Sequence, residues 1–141
     1  MRVLRFAFLV TLVACSTPND PSGWERVIGW ANPEMSSVQA IRFPSEAVAN
    51  QPFNVTVTTI GSSSCTRADG ATATVDKDVV TVTPYDFIAP SNTPCTRDLH
   101  PFPRTVSVTV PSAGLATMRL KTRMPDGTNK TFEFSIEVRA R

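Results

Sequence analysis

The sequence predicts an all-β protein with a single core, built from short antiparallel strands. Apolar and polar residues alternate with a period of two in several runs, and β-branched and aromatic residues fill those runs. Turn-forming residues separate the runs, and no window of about a dozen residues has the period of an amphipathic helix. A chain of 141 residues suits one domain.

The strands are predicted from the alternation of side chains along each run. In the clearest run, Phe53, Val55 and Val57 alternate with Asn54 and Thr56, as expected for a strand with one buried face. The clearest runs are residues 53–60, 105–110 and 131–138, and weaker ones are residues 25–30, 38–43, 71–75, 79–83 and 115–122.

Turn signals lie between these runs, at residues 76–78, 111–114 and 125–127. Gly127 marks the last of them because glycine accepts a positive φ without steric cost. Seven or eight antiparallel strands predict a β-sandwich, with a small closed barrel as the alternative. The number and spacing of the strands resemble those of immunoglobulin-like domains, although the Cys…Trp…Cys arrangement of antibody domains is absent.

The N-terminus has the pattern of an export signal. Arg2 and Arg5 precede an apolar stretch that is too short for a permanent membrane-spanning helix. The stretch ends in Leu12-Val13-Ala14-Cys15, which resembles the lipobox of bacterial lipoproteins. The resemblance implies that residues 1–14 are a cleaved signal peptide and that the thiol of Cys15 carries fatty chains.

The resemblance also implies where the protein resides. Two or three acyl chains hold a protein stably on a membrane that it does not cross. Residues 15–24 would form the lipidated cysteine and a flexible tether, with an ordered N-terminal loop as the alternative, and residues 25–141 would form the domain. Ser16 stands where an aspartate favours retention on the inner membrane in such proteins, so the outer membrane is favoured.

The charge balance argues against a nucleic-acid partner. The chain has 14 basic and 12 acidic residues, and removal of Arg2 and Arg5 with the signal would leave twelve of each. A protein that follows a phosphate backbone usually has a basic excess. We therefore expect no nucleic acid as a partner. The protein is predicted to be monomeric or weakly associating, with the membrane as one partner through the lipid anchor and an envelope protein as a candidate second partner.

Cys65 and Cys95 are the two cysteines that remain after Cys15. An exported protein meets an oxidising compartment, so we expect these two to form a disulfide. Free thiols are one alternative. The other is a zinc or copper site in which His100, the only histidine, joins the two thiols.

Strand counting predicts where the loops lie. If successive strands run in opposite directions, residues 61–70, 85–103 and 124–129 share one end of the domain. The disulfide would then join two loops at that end. By the same count, the first strand would start from the opposite end, and the tether would hold the crosslinked loops away from the membrane.

Residues 85–103 are the candidate binding loop. They include four prolines and no strand pattern, and loops of this length are uncommon unless they bind something or are disordered. In the alternative interpretation, Tyr85, Leu99 and Phe102 cap the open end of the core. The side chains expected to be exposed and available for binding are Tyr85, Asp86, Arg97, Asp98, His100 and Phe102.

Trp24 and Trp30 are spaced to share one face of the first strand. They are interpreted as covering an edge of the sandwich, and the alternative is an aromatic platform for a glycan or for the membrane interface.

The sequence contains no motif for a catalytic site or a cofactor, so we expect a non-enzymatic protein without cofactors. The predicted function is a lipid-anchored, disulfide-braced module of the bacterial envelope that binds or supports a partner. The competing prediction is a small periplasmic metal-binding or redox protein that uses Cys65, Cys95 and His100.

Overall fold

The computed structural model describes residues 23–35 and 37–141, which form β-strands and connecting turns without a helix. Strands β2 and β3 are very short, and β4 to β9 have ten or eleven residues each. The strands are β1 (Glu25–Ile28), β2 (Ile41–Arg42), β3 (Glu46–Val48), β4 (Pro52–Gly61), β5 (Thr66–Asp76), β6 (Val79–Ile88), β7 (His100–Thr109), β8 (Gly114–Arg123) and β9 (Asn129–Arg139).

The strands form two sheets. The three-stranded sheet has the order β2-β4-β7, and the six-stranded sheet has the order β1-β6-β8-β9-β3 with β5 also paired to β6. β5 occupies one edge of β6 along its whole length. β8 and β1 therefore share the other edge, β8 beside residues 79–82 and β1 beside residues 85–88.

Most pairs are antiparallel, as predicted, but two are parallel: β3 with β9 and β6 with β8. The predicted number of seven or eight strands is not confirmed, since the described residues contain nine. β3, which the sequence did not indicate, has only three residues. Such a short strand has too few positions for a period of two to be recognised.

Both sheets contribute to one buried core. Val55 and Val57 of β4 are fully buried and belong to the same cluster as Met118 and Leu120 of β8. The alternation in β9 is confirmed, because Ile136 is buried and its neighbours in the strand are exposed. The arrangement is sandwich-like, with apolar side chains of one face of each sheet meeting inside.

Three strands extend beyond their predicted bounds into the segments that were assigned to loops. β5 begins at Thr66, β6 continues to Ile88 and β7 begins at His100. Pro101 and Pro103 are tolerated in β7 because this strand pairs only with β4, and proline fits an edge strand whose missing N–H faces away from the ladder. The predicted loop 85–103 therefore shrinks to residues 89–99.

One end of the domain, here called the disulfide pole, consists of residues 62–65, 89–99 and 124–128. Gly61 ends β4 and pairs with His100, while Thr66 and Ile88 pair at the end of β6. Because β8 runs parallel to β6, the segment after Arg123 lies at the same end. The prediction that these loops share one end is consistent with this topology. The opposite pole consists of residues 49–51, 77–78 and 110–113.

The predicted position of the first strand is wrong. Glu25, the first residue of β1, pairs with Ile88, so β1 starts at the disulfide pole and not at the opposite pole. The count failed because β1, β2 and β3 all run away from the disulfide pole, as their pairings with β6, β4 and β9 require. These strands change sheets without reversing direction.

Candidate functional site

The disulfide pole is held together by the predicted bridge between Cys65 and Cys95. Their Cα atoms lie 5.5 Å apart, and the Ala89 N–H donates a hydrogen bond of 3.0 Å to the Cys65 carbonyl. Cys65 is buried while Cys95 is exposed. The disulfide therefore fixes an exposed loop, residues 89–99, to the buried end of the turn after β4.

A polar network around Asp98 adds to this brace. The Ser63 N–H donates to Asp98 Oδ1 at 3.1 Å, and the Thr96 hydroxyl donates to the same oxygen. The Thr96 N–H in turn donates to Ser64 Oγ at 2.9 Å. Hydrogen bonds from Thr96 and then Ser63 lower the pKa of Asp98 from 3.8 to about 2, because they stabilise the ionised carboxylate.

The six side chains that were predicted to form one exposed binding loop do not lie in one loop. Tyr85 and Asp86 are in β6, His100 and Phe102 are in β7, and the remaining two, Arg97 and Asp98, are exposed in residues 89–99.

His100 and Phe102 contact each other edge to face, with ring centres 5.0 Å apart. Tyr85 is half-buried beneath the Arg26 guanidinium, which lies 3.8 Å from the ring centre. In the alternative interpretation Leu99 helps to cap the core, yet its side chain is 62% exposed. Leu99 therefore belongs to the outer surface of the disulfide pole.

Asp86 was expected to be exposed, and this is wrong: it is buried in an ion pair. Arg104 Nη2 lies 2.6 Å from Asp86 Oδ1, with the two side chains 8% and 2% exposed. The Thr59 hydroxyl donates to the same carboxylate oxygen at 3.1 Å. Burial raises the pKa of Asp86, while Arg104 and Thr59 act in the opposite direction.

Arg104 also satisfies backbone groups at an irregularity in β5. The pairing of β5 with β6 shifts register between Ala68 and Gly70, a β-bulge of the kind that interrupts ladder hydrogen bonds. Arg104 Nη1 donates to the Gly70 carbonyl at 3.1 Å and also to the Tyr85 carbonyl. A buried arginine that donates to freed carbonyls is a structural arrangement, so we assign Asp86 and Arg104 to the architecture of the pole.

The sequence contained a signal for this buried pair. Arg104 has the same parity as Phe102, Val106 and Val108 in β7, and all four point to the less exposed face. Asp86 likewise follows the buried positions of β6 at intervals of two. Extending the alternation through these charged residues would have placed both inside.

A cavity of about 240 Å³ lies at the disulfide pole, next to the ends of β6 and β8. Its walls include Trp30, Thr66, Ile88 and Met124, which come from the end of the β1 segment, the start of β5, the end of β6 and the loop after β8. These segments meet at one end of the domain, as the strand pairings require.

The two tryptophans do not share a strand, because β1 ends at Ile28. The Arg67 guanidinium stacks on the Trp24 ring, 3.9 Å from its centre. Trp30 lies where the chain passes between the sheets, and its carbonyl accepts a hydrogen bond of 2.7 Å from the Ile60 N–H. Both tryptophans are half-buried, and Trp24 lies beside the N-terminal segment while Trp30 lines the cavity at the disulfide pole.

The alternative metal site would use the thiols of Cys65 and Cys95 with His100. The two sulfur atoms are bonded to each other. Within residues 23–35 and 37–141, no cluster of three or more His, Cys, Asp or Glu side chains is placed to hold a metal ion.

Cys15, the residue predicted to carry fatty chains, lies outside the described residues, as do the signal and most of the tether. In the part of the chain that the structure describes, no helix is both long and apolar enough to cross a membrane. No protein-family model, curated protein or solved structure matches the chain.

Proposed function

We propose that the protein is a lipid-anchored binding or structural module of the bacterial cell envelope, with an immunoglobulin-like sandwich as its folded part. Acyl chains on Cys15 would hold the domain at a membrane, with the outer membrane favoured over the inner. The disulfide pole would serve as the binding surface. This role requires no cofactor and no catalytic reaction.

The observation that carries the proposal is the bond between Cys65 and Cys95. It uses two of the three cysteines and leaves Cys15, the residue that ends the lipobox-like run. A disulfide is consistent with an oxidising, extracytoplasmic location. Both features of the cysteines, the pairing and the remaining thiol, agree with an exported lipoprotein.

The brace supports binding because it makes the pole a fixed surface. The loop at residues 89–99 is tied by the disulfide and by the hydrogen bonds of Asp98, so little conformational freedom remains to be lost on contact. An anchor at Cys15 raises the local concentration of the domain at the membrane, and a weak contact then suffices for occupancy.

The competing metal or redox role is not favoured by the geometry. Both sulfur atoms belong to the disulfide, so a metal could bind them only after a two-electron reduction to thiolates. The ring of His100 packs against Phe102. His100 is the only histidine of the chain, so it would be the only imidazole ligand of such a metal site.

The proposal is tested by expressing the full chain and Cys15→Ser in bacteria that are fed labelled palmitate. We expect label on the unchanged protein, none on Cys15→Ser, and release of the variant from the membrane fraction. Ser16→Asp is the matched control: it should keep the label and move the protein toward the inner membrane. Equal labelling and equal fractionation of the unchanged protein and Cys15→Ser would refute the anchor.

A further inference from the structure

The chain before Gly23 leaves the domain at the disulfide pole. A Cβ atom at Gly23 would lie 3.7 Å from Pro90 Cγ in the loop, and Glu25 pairs with Ile88 at the end of β6. From Gly23 back to Cys15 the chain spans at most about 28 Å. An anchor at Cys15 would therefore keep Gly23, at this pole, within about 28 Å of the membrane.

Two features of the pole suit the boundary between phospholipid headgroups and acyl chains. Leu99 is 62% exposed at the end of the loop. Trp24, beside the exit of the N-terminal segment, carries the stacked guanidinium of Arg67. Tryptophan beside a basic side chain is typical of this boundary, where amphipathic rings lie at the level of the headgroups.

The charges of the pole have both signs. Arg26 forms an ion pair with Asp69, and the exposed Arg97 is followed by Asp98, which accepts hydrogen bonds within the loop. A mixed surface of this kind does not require a strongly anionic membrane. Contact would depend on the apolar and aromatic groups more than on net charge.

We infer that the partner of the disulfide pole is the phospholipid surface of the membrane that holds the anchor, with Leu99 and the Trp24–Arg67 pair at the headgroup boundary. This inference rests on the proposed lipid anchor and adds the orientation of the domain. The opposite pole then faces away from the membrane, which reverses the orientation predicted from strand counting.

The opposite pole offers a matched control. Leu115 is 71% exposed and lies at the start of β8, a ten-residue strand that runs from the opposite pole to the disulfide pole. At about 3.3 Å per residue, the length of this strand separates the two poles by roughly 30 Å. Leu99 and Leu115 are therefore two exposed leucines at different distances from the proposed membrane contact.

The experiment uses acylated protein purified from bacterial membranes, with the mass of each preparation measured first. Leu99→Trp and Leu115→Trp are made separately in a Trp24→Phe background, and Trp30 remains in both as a common signal. Each variant is bound to vesicles of phosphatidylethanolamine and phosphatidylglycerol, with or without bromine on the acyl chains. Circular dichroism checks that both variants keep the strand signal.

We expect brominated lipid to reduce the fluorescence of Leu99→Trp about twofold more than that of Leu115→Trp, because groups at the boundary lie within roughly 5–10 Å of the acyl chains. Equal quenching, or stronger quenching of Leu115→Trp, in protein whose mass shows acyl chains would overturn the orientation alone. A mass without acyl chains would overturn both the anchor and this inference.

Discussion

Arg104 connects four strands through its guanidinium. It lies in β7 and donates to Thr59 of β4, to Gly70 of β5 and to Asp86 of β6. Two opposite charges removed from water gain little net stability as a pair, whereas a single buried charge is strongly unfavourable. The pair therefore fixes how β4, β5, β6 and β7 meet and contributes less to overall stability than its number of contacts suggests.

Asp86→Ala should lower the free energy of unfolding by about 3–5 kcal/mol, because it leaves Arg104 as an uncompensated buried charge. Urea unfolding followed by circular dichroism measures the change. The control is Arg119→Ala, which removes an exposed ion pair with Glu133 and should change stability by about 1 kcal/mol or less. Similar losses in the two variants would contradict the structural role of the buried pair.

Single residues show why the buried pair escaped prediction. Residues 85–103 contain four prolines and no strand pattern, which predicts a loop, and a charged side chain such as Asp86 is usually exposed. The parity of Asp86 and Arg104 along their strands pointed inward. Because both side chains are charged, they would be expected at the surface. Their positions in β6 and β7 indicate burial instead, and both are buried because each charge compensates the other.

At the level of elements, the loop at residues 89–99 owes its order to crosslinks more than to a core of its own. Its residues are almost all exposed, and its connections to the domain include the disulfide, the hydrogen bonds of Thr96 and Asp98 and the Ala89–Cys65 backbone hydrogen bond. A loop with few buried apolar contacts opens readily when such connections are removed.

The double variant Cys65→Ala/Cys95→Ala tests the covalent part of the brace. The disulfide spans a sequence separation of 30 residues, and the chain-entropy model gives a loss of about 3.6 kcal/mol when a loop of this length is no longer closed. Chemical denaturation of the two proteins measures the loss. Faster hydrogen exchange confined to residues 62–65 and 89–99 would accompany it, and unchanged exchange there would contradict the brace.

Asp98→Asn tests the polar part through pH. The folded-state pKa of Asp98, about 2, lies below the ordinary value of 3.8, so its ionised form contributes stability that is present above pH 3.8 and is lost as the pH falls toward 2. The difference in unfolding midpoint between the unchanged protein and Asp98→Asn should therefore be largest above about pH 4. A difference that grows toward pH 2 would contradict the assignment.

The strands with strong alternation were predicted, whereas the parts of β5, β6 and β7 that extend into the predicted loops were not. The difference has a physical reason. Residues 53–60 and 131–138 carry β-branched and aromatic side chains on a buried face. The first half of β5 includes Ala68, Asp69 and Gly70, which have low strand propensity. This segment is a strand because β6 supplies its hydrogen bonds, and such tertiary pairing leaves no local periodic signal.

At the level of the whole molecule, strand direction could not be obtained by counting. The path from β1 to β3 passes between the sheets at residues 29–31, where Gly29 N–H donates to Pro84 of β6 and Ile60 of β4 donates to Trp30. When the chain passes from one sheet to the other and keeps its direction, the alternation of side chains along the strands does not show it. Counting gave the loops that share a pole because β4 to β9 reverse direction one after another. The exit of the N-terminal segment required the observed pairing of β1 with β6.

Gly29→Ala tests this passage between the sheets. A methyl group there would overlap the Asp86 carboxylate and the Thr59 methyl group, and such overpacking typically lowers the free energy of unfolding by about 1–3 kcal/mol. Thermal and urea unfolding measure the effect. The exposed substitution Ser107→Ala should stay within about 0.5 kcal/mol, and equal stability of Gly29→Ala and Ser107→Ala would contradict the close approach.

The direction of β1 has a mechanical consequence. Because this strand starts at the disulfide pole and lies against β6, a pull on the segment before Gly23 acts along the strand axis. The four register pairs between Glu25 and Ile28 and their partners on β6 are then loaded in shear, all at once, instead of being peeled apart one after another. If the proposed fatty chains anchor Cys15, a force that pulls them out of a bilayer would load β1 along its axis, the direction in which its paired residues resist together.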